Sequence, residues 1–300
     1  MVASVVTVPK TQKAQVTREF GLNPKFEEIP VPEPKDDELL VHVIYSGVCH
    51  TDVGVVKNEY RALGLSLPII AGHEGAGIVV KIGKSVTGFK EGDRVGCAYL
   101  HRTCNTCEHC KQQGNEAFCY SAEYLANHRN WGTFQQYVAV QAFQAHLIPE
   151  KLDMAKAAPI LCAGVTVYRS LKETGARPGQ FVSITGAGGG LGSLALQYAK
   201  ALGFRPIAID FGDTKREYCL KQGAEFFVDA KNQDVVQEVR RVTDGKGPHA
   251  VVNIAPAIKP IEDAIKHVPS QRKNRFGYFA INSVNKCQDG RLCQMYKFIY

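Results

Sequence analysis

The sequence predicts an α/β protein in two parts: a β-rich N-terminal domain, then a doubly wound parallel sheet that is incomplete at its C-terminal end. Three features predict it. Short β-branched runs broken by Gly and Pro fill the first half, strands and helices alternate from about Met154, and one strand-to-helix joint is rich in glycine. The expected domains are residues 1–153 and 154–300, with 266–300 set apart by composition.

In the first domain, Val41-His42-Val43-Ile44-Tyr45 and the run from Gly77 to Ile82 read as strands, and Pro30-Val31-Pro32-Glu33-Pro34 as a turn. Glu91-Gly92-Asp93-Arg94-Val95 is a turn leading into another strand. Short strands with such punctuation suggest a barrel or a sandwich. In the second, 155–176 reads as helix and 181–185 as a buried strand. A helix over 191–202, a strand over 206–210, a helix over 215–222 and a strand over 226–228 follow, then a helix over 234–242 and a strand over 250–254. That alternation builds βαβ units and hence a parallel sheet.

Gly186-Ala187-Gly188-Gly189-Gly190-Leu191-Gly192 sits between the strand ending at Thr185 and the next helix. Glycines there permit a tight turn and let backbone N–H groups approach a pyrophosphate at a helix N-terminus. Asp210 ends the following strand. An acid at that point accepts hydrogen bonds from the adenosine ribose hydroxyls and repels a 2′-phosphate, which favours NAD over NADP. Its other reading is a helix cap or a solvated turn residue. Lys215 stands either at the ribose or in solvent.

The ten cysteines are not those of a disulfide framework, because four are grouped as Cys104-x2-Cys107-x2-Cys110-x8-Cys119. That spacing suits a closed four-thiolate zinc site, which orders a loop without doing chemistry. A second, dispersed set is Cys49, His73 and Cys162, in the settings Gly47-Val48-Cys49-His50-Thr51-Asp52, Gly72-His73-Glu74-Gly75 and Leu161-Cys162-Ala163-Gly164. The net charge of +7 does not mark a nucleic-acid partner: from Lys266 to Tyr300 seven basic residues face the single acid Asp289, so the remainder is nearly neutral. No run of about 18 apolar residues offers a membrane span. Reduced thiols without a leader point to the cytoplasm.

These segments resemble the zinc-dependent medium-chain alcohol dehydrogenases of the fungal type. The likeness extends through residues 158–164 and 192–200 and covers roughly Gln15 to Val268. It implies a GroES-like catalytic domain followed by a Rossmann domain, with the substrate cleft between them. It also implies two zinc ions per chain: a catalytic one held by Cys49, His73 and Cys162 with Glu74 close by, and a structural one held by Cys104, Cys107, Cys110 and Cys119. By the same resemblance Asp52 orients His73, Thr51 accepts the alcohol proton and His50 faces the cofactor phosphates. Tyr60 and Tyr99 fall where relatives place aromatics of the substrate pocket. The implied activity is reversible oxidation of a small primary alcohol, ethanol-like, to its aldehyde with NAD, in a homo-oligomer.

Three departures from the family pattern stand out. Gly54 occupies the place of a histidine that ends the proton relay. The loop from Cys110 to Cys119 holds one residue more than is usual. After Val268 the chain runs Pro269-Ser270-Gln271-Arg272-Lys273-Asn274-Arg275 and ends at Tyr300, with Phe276 to Ile281 as the one remaining strand. A sixth strand, which pairs across the family's subunit interface, has no counterpart, so the alternative expectation is a truncated, catalytically impaired product that binds zinc and NAD.

Overall fold

The computed structural model describes residues 7–61, 64–112, 114–127, 131–268 and 276–278. The stretches 269–275 and 279–300, with the rest of the Phe276–Ile281 strand and most of the divergent tail, lie outside the described residues. The chain divides into two compact units at Cys162/Ala163.

The first unit is built on an antiparallel five-stranded sheet. Its strands are β3 (Glu38–Ser46), β4 (Gly75–Ile82), β5 (Arg94–Cys97), β8 (Tyr137–Gln141) and β9 (Ala145–Leu147), in the order β8-β3-β4-β5-β9. The inward residues Leu39, Val41, Val79, Val95, Val138 and Val140 form its core. Alternation along the strands is what puts them on one face. Two short pairs flank it: β1 (Thr11–Val16) with β2 (Lys25–Pro30), and β6 (Leu100–Arg102) with β7 (Glu123–Tyr124). Helix α1 (His50–Val56) follows β3 directly. Helix α2 (Met154–Pro159) seats Ala157 and Ala158 against Ala76 and Ile148, so it belongs with the first sheet. The division therefore falls a helix later than the expected boundary at 153/154.

The long helix expected over 155–176 is two helices, α2 and α3 (Val165–Glu173), separated by a widened π-type turn over Ile160–Gly164. Pro159 lacks the N–H that would continue α2. Such widened turns gather at functional sites, and this one carries Cys162.

The second unit is a parallel sheet in the order β12-β11-β10-β13-β14: β10 (Phe181–Thr185), β11 (Arg205–Asp210), β12 (Phe226–Asp229), β13 (Ala250–Asn253) and β14 (Phe276–Tyr278). Helices α4 (Gly190–Ala201), α5 (Asp213–Gln222), α6 (Val235–Val242) and α7 (Ile258–His267) connect them. Every residue of β10 is buried, as a central parallel strand demands. Val182 and Ile184 pack with Leu196 and Ala199 of α4, while Ile207 and Ile209 pack with Val235 and Val239 of α6. Chain order reverses at β10, whose neighbours are β11 and β13. Ligands of open α/β sheets bind in the crevice outside the strand ends at such a point. Among the described residues no helix is long and apolar enough to cross a membrane.

Candidate metal and dinucleotide sites

Three segments of the first unit bring the dispersed set together. Cys49 caps α1, His73 and Glu74 precede β4, and Cys162 lies in the widened turn after α2. One ligand atom from each of Cys49, His73, Glu74 and Cys162 lies within 4.8 Å of the others. His73 and Glu74 are 2% and 4% exposed, so this is an interior cluster.

Asp52 is the tie between the segments. Its Oδ2 accepts from the Cys49 N–H at 2.9 Å, and its Oδ1 accepts from the Gly72 N–H at 2.9 Å. The same Oδ1 lies 2.9 Å from His73 Nδ1, which leaves Nε2 aimed at Cys162 Sγ, 3.2 Å away. A carboxylate on the far nitrogen of a histidine is the arrangement that orients a metal-binding imidazole. Gly47 leaves the Glu74 carboxylate its room, since a methyl there would meet Oε2 at 1.9 Å.

The electrostatics betray crowded donors. A hydrogen bond from Cys162 pulls the Cys49 thiol down to about 3, against burial, with His73 helping. Burial works against a charged His73, but Asp52 and Cys49 outweigh it and hold the imidazole up at about 10. Burial lifts Glu74 to about 7, and the hydrogen bond with Cys49, then burial, then the Cys49 charge push the Cys162 thiol far up. Two thiols, an imidazole and a carboxylate compete for protons in one small volume. A divalent cation resolves that competition, and this donor set suits zinc.

The second cluster is local. Cys104, Cys107, Cys110 and Cys119 lie between β6 and β7 with ligand atoms within 4.8 Å of one another. Sulfur separations are 3.5 Å for Cys107–Cys110, 3.6 Å for Cys104–Cys119 and 3.9 Å for Cys104–Cys110. All four are free thiols. Backbone N–H groups of Cys107 and Cys104 point at the sulfurs of Cys104 and Cys119, at 3.3 and 3.4 Å. Thr106, and then backbone N–H groups, bring Cys104 down to about 5, while burial among its neighbours raises Cys110 to about 12. The eight-residue loop between Cys110 and Cys119 still returns the fourth sulfur to the group. His101 and His109 are not among these donors.

In the second unit the glycine-rich stretch turns from β10 into α4. Gly192 is fixed by close approach: a methyl there would lie 2.3 Å from the Gly186 carbonyl oxygen. Asp210, at the end of β11, is more engaged than the sequence suggests. Its Oδ2 accepts from the Gly188 N–H at 2.8 Å, and its Oδ1 from Lys215 Nζ at 2.8 Å and the Phe211 N–H at 2.9 Å. Lys215 is therefore held at the acid rather than free in solvent. Gly189, Gly190 and Leu191 begin α4 beside it. Thr185 and Asn253 pair across β10 and β13 at the switch point, and their buried Oγ1 and Oδ1 have no partner among the described residues. Unsatisfied atoms at strand ends, beside a glycine cradle, fit a bound dinucleotide.

The residues of the two expected ligand sets fall into these two clusters. Sequence reasoning missed the reach of Asp52 to Gly72, and it missed Thr133, whose hydroxyl lies 2.7 Å from Ser46 Oγ and whose side chain fills the space beside Gly72 and Gly75. Nothing near Thr133 in sequence signals that role.

Comparison with known proteins agrees with this geometry. Residues 35–150 match the alcohol dehydrogenase GroES-like domain, and 190–276 match the zinc-binding dehydrogenase model. The chain is 46% identical to alcohol dehydrogenase 1 of Caenorhabditis elegans over 88% of its length and 74% of the relative's. It is likewise 46% identical to alcohol dehydrogenase 1 of Emericella nidulans over 89% of its length and 76% of that protein's. Among solved structures, an NAD-dependent alcohol dehydrogenase superposes with a TM-score of 0.78 at 32% identity, covering 85% of this chain and 74% of that one.

Proposed function

Because the chain belongs to the zinc-dependent medium-chain alcohol dehydrogenase family, we propose that it reversibly oxidises a small primary alcohol, such as ethanol, to its aldehyde with NAD. Membership makes it an oxidoreductase. The observation that carries the finer reading is the convergence of Cys49, His73, Glu74 and Cys162 on one interior point. Cys49, His73 and Cys162 would hold one zinc ion with Glu74 beside it, and Cys104, Cys107, Cys110 and Cys119 a second of structural role.

When bound, zinc supplies a Lewis acid at the alcohol oxygen and the nicotinamide supplies a hydride acceptor. The chain's own residues position and deprotonate. Thr51, with Oγ1 3.6 Å from Cys49 Sγ, would accept the alcohol's O–H proton while passing its own on to solvent. With both groups bound, the products would be the aldehyde, NADH and one proton. Asp52 keeps His73 Nε2 turned toward the thiols. His50, exposed at the start of α1, serves the cofactor phosphates. The Asp210 carboxylate favours a free 2′-hydroxyl, hence NAD. Free thiols in both clusters suit a reducing cytoplasm.

The test is NADH formation, followed by its absorbance, from the purified chain with ethanol, NAD and zinc. Zinc-dependent turnover is expected. Zinc and NAD binding without turnover would overturn the reading in favour of an impaired product.

A further inference from the structure

Tyr60 follows α1, and its ring packs on the apolar cluster of Val55, Ile69 and Ala71. Its hydroxyl is buried, yet no described group makes a hydrogen bond with it. A buried tyrosine hydroxyl ordinarily finds a partner, so an orphan needs a reason. The ring lies over Gly54: a methyl on that glycine would sit 2.5 Å from Cε2 and 2.8 Å from the phenol oxygen. Thr51 stands one turn earlier on the same helix, with Oγ1 beside Cys49 Sγ. Burial raises the Tyr60 phenol most, the Thr51 hydroxyl works against that, and the Cys49 charge adds to it. Tyr60 in turn acts on Tyr99, whose ring lies edge-on 5.3 Å from that of His73. Two hydroxyls therefore stand together beside the Cys49/His73 cluster, and one of them lacks a partner.

We propose that Tyr60 determines specificity: its hydroxyl bonds a second oxygen on the substrate carbon next to the one oxidised, so the site is built for small vicinal diols and 2-hydroxyaldehydes. The inference rests on the alcohol oxidation proposed above and narrows its substrate class. A fixed hydrogen-bonding group rejects an isostere that lacks the matching oxygen far more strongly than an apolar wall rejects a hydroxyl. Water bound at the phenol instead would give no such preference.

Ethylene glycol and 1-propanol differ only by a hydroxyl in place of a methyl, so the ratio of their kcat/KM values isolates the contact. In the zinc-loaded chain the glycol-to-propanol ratio should exceed that of Tyr60→Phe by about tenfold, the effect of one good hydrogen bond. Equal ratios in the two proteins overturn the proposal. A second measurement does not need turnover: equilibrium binding of glycolamide and its isostere propionamide to the zinc- and NADH-loaded chain, read by NADH fluorescence. Glycolamide should bind about tenfold more tightly, with the preference lost in Tyr60→Phe. Equal binding of the two amides overturns the proposal. Failure to oxidise either alcohol counts against the proposed function alone, and the amide pair then decides the role of Tyr60.

Discussion

The two sulfur clusters of the first unit share one dimension and little else. Each gathers four donor atoms within 4.8 Å. Cys104, Cys107, Cys110 and Cys119 come from one short loop between two brief strands, whose backbone N–H groups address its own sulfurs. Cys49, His73, Glu74 and Cys162 come from three separate segments held by a helix start, a strand start and a widened turn, with Asp52 as the tie. The local cluster has little besides its ligands to give it shape. The dispersed cluster is held by Asp52 and by the elements that carry it. A metal should therefore be structural cement in the first and a reagent in the second.

The strongest way to break this contrast is to remove one donor from each. Cys162→Ala should lower turnover on the order of a thousandfold, since a Lewis acid supplies several kcal/mol and each 1.36 kcal/mol is tenfold. The far-ultraviolet circular dichroism should not change; unfolding instead would show that the dispersed cluster, too, needs its metal for shape. Cys107→Ala should halve the bound zinc measured by mass spectrometry and open residues 104–119 to protease. A midpoint drop of several degrees should accompany it, from about 2 kcal/mol of lost stability. A smaller effect is expected at the tie. Asp52→Asn should weaken zinc binding or activity about 10- to 100-fold, measured by competition with a chromogenic chelator, and unchanged affinity would remove Asp52 from the argument.

A prediction apart from the two clusters concerns buried histidines. His73, facing Asp52, is raised to about 10, whereas His101 at the base of the local cluster and His267 in the second unit are lowered by burial to about 4. His101 and His267 are thus neutral when folded and take up protons on unfolding between pH 6.5 and 4. The unfolded state binds more protons there, so stability should fall as pH drops through that window, with no contribution from them above it. The upper bound is about 3 kcal/mol for each, from 1.36 kcal/mol per unit. Urea denaturation at pH 7 and pH 5 reads the change, and His267→Gln should flatten it; an identical slope would show another group to be responsible.

The parallel sheet was legible because a period of helix and strand is written into the chain, and β10, β11, β12 and β13 stand where the apolar runs lie. The four-cysteine loop was legible because its chemistry is local. The break at Pro159 was not. An apolar, alanine-rich run reads as one helix, and only packing reveals that the turn is widened to present Cys162. Helix α7, amphipathic but short, also escaped notice. The engagement of Asp210 with Gly188 could not be read either, because it depends on how near two strand ends come. The resemblance expects Tyr60 among the pocket aromatics, but that its hydroxyl has no partner among the described residues is a fact of three dimensions.

On the NAD reading proposed above, the engagement of Asp210 with Gly188 bears on any attempt to retune the protein toward phosphorylated dinucleotides. Replacing Asp210 with a small neutral residue would do more than lift a repulsion. It would strand the Gly188 amide and release the Lys215 ammonium in the same stroke. A retuned variant would need a neutral acceptor in reach of the glycine amide, such as asparagine at 210, before a freed Lys215 could be turned to a phosphate. The acid proposed above to favour NAD thus also holds the loop, and a single exchange would loosen the cradle along with changing its charge.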